Sequence, residues 1–250
     1  MRLHFGFDDM PCGVRSVVTV GSFDGVHAGH RTLLAHLKSM AQRLDAESVV
    51  VTFEPHPRIA MGRAEGMGLL TTIEERALLL EREGVDHLVV AHFDETFRTQ
   101  PYESFVEELL VGKLGMVGMI VGYNHRLGRG SEGNHERLMP LAAKCGFDLE
   151  CVAQHTDSGE KISSTVVRGV IADGDMSKAA RLLGCGYTIM ATAINGVVDI
   201  TDSYKIVPPV GHYDADVTVA GSVERQRVYV ENRRITLACA YTADVIIVFC

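Results

Sequence analysis

Two histidines, His27 and His30, stand three positions apart in the stretch Val20 to Leu34, VGSFDGVHAGHRTLL. Gly21, Gly25 and Gly29 surround them, a β-branched apolar run precedes them, and an apolar stripe at helical spacing follows. At a strand-to-helix junction, glycines let the backbone approach a ligand closely, and the helix N-terminus offers unpaired N–H groups to an anion. Two imidazoles placed there can donate to phosphate oxygens whose negative charge grows during phosphoryl-group transfer. A tight turn carrying two surface histidines is the plainer alternative, and the HxGH spacing at such a junction favours the chemical reading. Asp24, inside the same loop, is compatible with three roles: orienting His27, assisting a metal ion, or capping the turn.

Three further segments carry residues suited to the same chemistry. In KISSTVVRGVI, Ser163, Ser164 and Thr165 precede an apolar helical run, which alone makes a good N-cap. Arg168 lies one turn beyond on the same helical face, so hydroxyls, N-terminal amides and a guanidinium converge in a way that suits a chain of phosphates. VGYNHRLGRGSEGN ends a strand in a glycine-rich loop bearing Asn124, His125, Arg126 and Arg129, a polar loop in the plain reading. TFEPHPR ends another strand, and its two prolines fix the chain direction around His56, either as a rigid turn or with Phe53, His56 and Pro57 shaping the mouth of a cleft. No Cys or Ser nucleophile is paired with a base, so direct in-line attack by a substrate phosphate on an α-phosphate is the simpler mechanism, catalysed by positioning and charge neutralisation.

The elements that must position these residues alternate along the first three quarters of the chain. Short apolar strand candidates run from Ser16 to Gly21, Ser48 to Phe53, His87 to Ala91, Met116 to Val121 and Asp148 to Val152. Helix candidates run from about His30 to Leu44, Ile73 to Glu83, Tyr102 to Leu114, Asn134 to Lys144, Thr165 to Ala172 and Met176 to Leu183. This alternation predicts a doubly wound, Rossmann-like α/β domain over 1–185, in which ligands bind outside the carboxyl ends of the strands. After residue 185 the pattern changes to period-2 alternation with turn residues, predicting a small antiparallel β domain over 186–250. About 65 residues make a marginal independent core, so packing on the first domain or on a second copy, as a homo-oligomer, is expected.

Composition narrows the classes. The 250 residues are 46% hydrophobic and 22% charged, as in an ordinary globular protein. A formal charge of −8 argues against a generic nucleic-acid binder, and no apolar run is long enough to span a membrane. The N-terminal MRLHFGFDDM lacks a basic-then-apolar leader pattern, so a cytoplasmic location is expected. Six cysteines are scattered without metal-ligand spacing and read as reduced, packed thiols.

GSFDGVHAGH resembles the HxGH motif of the nucleotidyltransferase superfamily. Together with FEPHP, GYNHRLGRGSEGN and ISSTVVR, in that order and spacing, it is similar to the FMN adenylyltransferase module of bacterial bifunctional riboflavin kinase/FAD synthetases. The resemblance implies FAD synthesis: AMP passes from ATP to FMN, giving FAD and pyrophosphate, with Mg²⁺ carried in by ATP. It implies catalytic roles for His27, His30, Asn124 and Arg168, and ATP binding by Gly21, Phe23, Asp24, Gly29, Ser163, Ser164, Thr165 and Arg168. It implies FMN binding by Phe53, His56, Pro57, Asn124, His125, Arg126 and Arg129, with Asn124 near the nucleotide and its Mg²⁺. The family wording is closer to GxDFxFG; here Asn124, His125 and Leu127 replace the Asp and both Phe.

The second half of the family pattern is missing. A bifunctional member continues into a riboflavin kinase β-barrel with a phosphate-binding Pro-Thr-Ala-Asn run, where this chain reads TDSYKIVPP. PPVGHYDADVTV, Pro208 to Val219, echoes one barrel strand, and the chain reaches Cys250 before a full barrel is expected to be complete. A degenerate kinase domain kept for packing or oligomerisation is favoured over a rewired flavin binder, with kinase activity lost. Rival readings are a fully bifunctional enzyme, an HxGH transferase with another phosphate acceptor, and a non-catalytic flavin or nucleotide sensor.

Overall fold

The computed structural model describes residues 1–63, 67–153, 156–157 and 160–250. These residues fall into two compact units, each built from separated stretches of chain. The first comprises Met1–Phe23, Gly29–Glu65 and Ala77–His155; the second comprises Asp24–Ala28, Gly66–Arg76 and Thr156–Cys250.

The first unit is organised by a six-stranded sheet of β1 (Arg2–Phe5), β2 (Ser16–Val20), β3 (Glu47–Glu54), β4 (His87–His92), β5 (Met116–Gly122) and β6 (Asp148–Val152). Every pairing is parallel and the order is β1-β4-β3-β2-β5-β6. All five residues of β2 are buried, as its unbroken β-branched run requires of a strand covered on both faces. Val18, Val20, Val49, Val51, Val89 and Val121 share one core with Leu110, Leu138 and Leu141. The chain winds to one side of β2 through β3 and β4 and to the other through β5 and β6. That reversal opens a crevice at the carboxyl ends of β2 and β5, where doubly wound sheets take ligands.

The helices are α1 (Ala28–Arg43), α2 (Pro57–Ala60), α3 (Ile73–Arg82), α4 (Glu95–Thr99), α5 (Tyr102–Ser104) and α6 (His135–Cys145). α1 buries Leu34, Leu37, Met40 and Ala41, the stripe read from sequence. α6 starts where Asn134 accepts a capping hydrogen bond from the Arg137 amide and stops at Gly146, which is left-handed. Two expectations need correction. The helix expected from Tyr102 to Leu114 is α-helical only to Ser104 and continues as a π-helix over Phe105–Val111. β1 is an extra edge strand with His4 alone buried, a pattern too short for alternation to mark.

The second unit holds β7 (Thr156–Asp157), β8 (Glu160–Lys161), α7 (Ser164–Ala172), α8 (Met176–Leu183) and a six-stranded antiparallel sheet. Its strands are β9 (Tyr187–Ala193), β10 (Val197–Asp199), β11 (Gly211–Val219), β12 (Ser222–Glu231), β13 (Arg234–Thr236) and β14 (Ala243–Phe249), in the order β10-β13-β12-β11-β14-β9. Alternate residues Ala215, Val217, Val228, Val230, Val245 and Ile247 face inward. A bridge between Ile194 and Val197 joins β9 to β10, so the two outer strands meet and the sheet nearly closes on itself. α7 and α8 contribute Val167, Ile171, Ala179 and Leu183 to this same core, so the change of pattern at residue 185 divides helix from strand within one packed body.

Candidate functional site

In the first unit, a cavity of about 560 Å³ lies where the carboxyl ends of β2, β3, β4 and β5 deliver their loops. Gly21 and Ser22 follow β2; Phe53, His56 and Pro57 lie at and beyond the end of β3; Phe93 and Phe97 follow β4; His125, Arg126 and Leu127 follow β5, and all line the cavity. The apolar wall is an aromatic cluster, with Phe97 centred 5.6 Å from Phe53, 5.7 Å from Phe93 and 5.4 Å from Phe105. Arg63, Arg98 and Arg126 add exposed guanidinium groups to the lining. Apolar aromatic surface beside fixed positive charge suits a ligand with a flat ring at one end and phosphate at the other.

His56 is buried, and its Nδ1 accepts from the Arg58 amide at 3.2 Å, capping α2. His125 differs. Its Nε2 is buried and has no hydrogen-bond partner among the described residues, although the residue as a whole is partly exposed. Burial pushes its pKa down to about 4, so the ring is neutral at pH 7.

His30 sits in the first turn of α1, its ring centred 4.9 Å from that of Phe23. Gly29 occupies the same turn. Asn124 and Arg129 are exposed and do not line the cavity; the Arg129 amide donates to the Gln100 carbonyl at 3.0 Å.

In the second unit, Asp24 is fully buried and both its oxygens are engaged. Oδ1 accepts from the Thr71 amide at 2.9 Å and the Thr71 hydroxyl at 3.0 Å; Oδ2 accepts from the Leu70 amide at 3.1 Å and from Arg168 Nη2 at 2.5 Å. Burial pushes the Asp24 pKa up, but Arg76, Arg168 and the two amides outweigh it and hold the carboxyl below its ordinary value. Arg168 also donates from Nε to the Gly68 carbonyl at 2.6 Å. Ser163 caps α7 by accepting from the Val166 amide at 3.4 Å, and Ser164 donates to the Asp24 carbonyl at 3.0 Å; Thr165 is exposed. His27 immediately precedes α1 and is buried, which lowers its pKa to about 4. Its neutral ring donates through one nitrogen and accepts through the other.

The backbone of the loop is unusual. Phe23, Gly25 and Val26 have φ of +47°, +83° and +40°, and left-handed geometry is costly for an aromatic and for a β-branched residue. A Cβ at Gly25 would lie 2.7 Å from the Leu70 side chain, so glycine is required there for space as well as conformation.

Gly21, Phe53, His56, Pro57, His125 and Arg126 are thus gathered in one cavity, while Asp24, His27, Ser164 and Arg168 belong to the second unit. Sequence reasoning missed Phe93, Phe97, Phe105, Arg63 and Arg98. The HFDETF stretch directly after a parallel strand was the available signal for the first two. Among the described residues, no three His, Cys, Asp or Glu side chains cluster to hold a metal ion, and no helix is long and apolar enough to cross a membrane.

A doubly wound parallel sheet with its cavity at the switch point, followed along the chain by an antiparallel β unit, defines the class: a Rossmann-like α/β protein. The FAD synthetase family model matches residues 10–166, and the chain belongs to that family. It is 33% identical over 180 residues to the bifunctional riboflavin kinase/FMN adenylyltransferase of Escherichia coli K12, the match covering 72% of this chain and 58% of that one. The protein of the same name from Bacillus subtilis 168 is 32% identical over 224 residues, covering 84% of this chain and 69% of the relative. The chain therefore spans little more than half the length of the E. coli relative. A solved structure of a macrolide-efflux protein from Streptococcus pneumoniae superposes with a TM-score of 0.87 at 22% identity, covering 100% of this chain and 89% of that one, a likeness of fold.

Proposed function

We propose that the protein is an FMN adenylyltransferase. The observation that carries this reading is the cavity at the switch point, where an aromatic wall, His125 and the guanidinium groups of Arg63, Arg98 and Arg126 line one space in a member of the FAD synthetase family. Phe53, Phe97 and Pro57 flank the flavin ring, and Arg126, with Arg129 on the same loop, attracts its phosphate. A phosphate oxygen of FMN attacks the α-phosphorus of ATP in line; the bond from that phosphorus to the bridging oxygen breaks, and pyrophosphate leaves with its electron pair. His27 and His30 donate to the α-phosphate oxygens as charge builds, with Gly21 and Gly29 permitting close approach and Phe23 packed behind His30. Ser163, Ser164, Thr165 and Arg168 border the β,γ-phosphates, with Asp24 setting the direction of the guanidinium.

Asn124 offers a single amide oxygen, which fits an ion held mainly by the nucleotide. Mg²⁺ entering with ATP would neutralise phosphate charge, and Asn124 is the residue that the family resemblance assigns to it.

We assign 1–185 to the transferase and 186–250 to a degenerate riboflavin-kinase-like segment without kinase activity, in a cytoplasmic enzyme that self-associates through its β unit. Support for lost kinase activity comes from Lys205. In the stretch standing where the family has its phosphate-binding run, this cation is buried against the Glu75 carboxylate at 2.5 Å and is not offered to a phosphate. The names of the relatives favour a second reading, retained kinase activity. Replacing His30 by Ala separates catalysis from binding: FAD formation from FMN and ATP should fall by about 100-fold with little change in KM. Wild-type turnover in that variant would remove His30 from the mechanism.

A further inference from the structure

Lys205 lies in the kinase-like segment, yet its contacts lead to the loop that carries His27. Its Nζ is nearly inaccessible and donates to the Leu70 carbonyl at 2.7 Å, to Glu75 Oε2 at 2.5 Å and to the Thr188 carbonyl at 3.1 Å. The ammonium also lies 4.6 Å from the centre of the Tyr187 ring. Glu75 is tied in turn to β9, accepting from the Met190 amide at 2.9 Å, and to the Thr72 amide at 2.8 Å. The backbones pair as well: the Leu69 amide donates to the Tyr204 carbonyl at 2.6 Å, and the Ile206 amide to the Leu69 carbonyl at 3.0 Å.

The same short segment holds the loop. The Leu70 and Thr71 amides are the donors that grip Asp24, and the Gly25 amide donates to the Thr71 hydroxyl at 3.1 Å. Asp24 and Gly25 belong to the stretch with left-handed Phe23, Gly25 and Val26, a conformation that persists only when its surroundings hold it. All these residues, Phe23 excepted, share the second compact unit.

We propose that Lys205 is a positioning residue for adenylyl transfer: through Leu70 and Thr71 it fixes Asp24 and the HxGH loop, so the kinase-like segment serves the transferase as the scaffold of its catalytic loop. The catalytic part of this inference rests on the FMN adenylyltransferase reading; the structural part does not. A contiguous network of buried hydrogen bonds and one ion pair is a physical route for such coupling.

Amide hydrogen exchange on the full chain, combined with steady-state FAD formation, tests it. In Lys205→Met the amides of Gly25, Leu70 and Thr71 should exchange at least ~10-fold faster, while Val217 and Val228 keep their protection. The kcat should fall by about 10-fold with KM for ATP within about 2-fold, measured well below the unfolding transition. Lys205→Gln, which keeps an N–H donor for the Leu70 carbonyl, should recover part of both effects. If Lys205→Met does not fold, Glu75→Met/Lys205→Met leaves no orphaned charge and should show the same pattern. Unchanged exchange at the three amides, or an increase shared equally with Val217 and Val228, would overturn the proposal. Should the wild type make no FAD, the assigned reaction fails and the exchange pattern still decides the role of Lys205.

Discussion

At the scale of residues, the proposed chemistry turns on imidazoles that burial keeps neutral. His27 and His125 both have pKa values near 4, against an ordinary value of 6.5. For a base whose folded pKa is depressed, the unfolded chain takes up protons first, so the stabilisation is complete above pH 6.5 and is lost as pH falls toward 4. His27 alone should cost roughly 2 kcal/mol of stability between pH 7 and pH 5, readable as a drop in the denaturation midpoint that His27→Asn reduces. Equal stability at the two pH values would show that His27 is not buried in neutral form. The residue types of the site were legible because histidines, glycines and arginines in that spacing have few other uses. The commitment of Arg168 to Asp24 was not: the partners lie 144 positions apart, and no local pattern encodes such a contact. Arg168→Lys keeps the charge but loses the fork that reaches both Asp24 and the Gly68 carbonyl, so it should lower kcat/KM for ATP by ~10-fold or more; wild-type kinetics would argue against a role for the fork.

At the scale of elements, apolar runs and periodicity located all five of the strands expected in the parallel sheet and the helix that follows the histidines. What escaped was set by packing. The segment Phe105–Val111 is π-helical, with Phe105 packed on Phe97, and β1 is an edge strand whose short pattern resembles irregular chain. The aromatic cluster assembled by these elements makes a specific demand. Phe97→Ala removes the ring that touches Phe53, Phe93 and Phe105, and should raise KM for FMN by about 10-fold while leaving KM for ATP nearly unchanged. A parallel rise in both constants would place the flavin elsewhere. Gly25→Ala meets a left-handed φ and a Leu70 methyl 2.7 Å away, and should destabilise the fold by roughly 1–3 kcal/mol in chemical denaturation.

At the scale of the whole molecule, the sequence divides at residue 185, where alternating helix and strand give way to strands alone. Contacts divide it otherwise: the loop 24–28 and the segment 66–76 are packed with α7, α8 and the antiparallel sheet. Composition changes along a chain, whereas packing joins stretches far apart in it, and only the first is visible in a linear reading. On the proposed reading the consequence is functional, because a segment whose Lys205 is buried in the hydrogen bonds that hold the loop can be indispensable to adenylyl transfer. The most direct measurement is incubation of the full chain with ATP, Mg²⁺ and either FMN or riboflavin, followed by chromatography of the flavins. The account predicts FAD and an equal amount of pyrophosphate from FMN, and no FMN from riboflavin. Failure to form FAD from FMN would contradict its central claim.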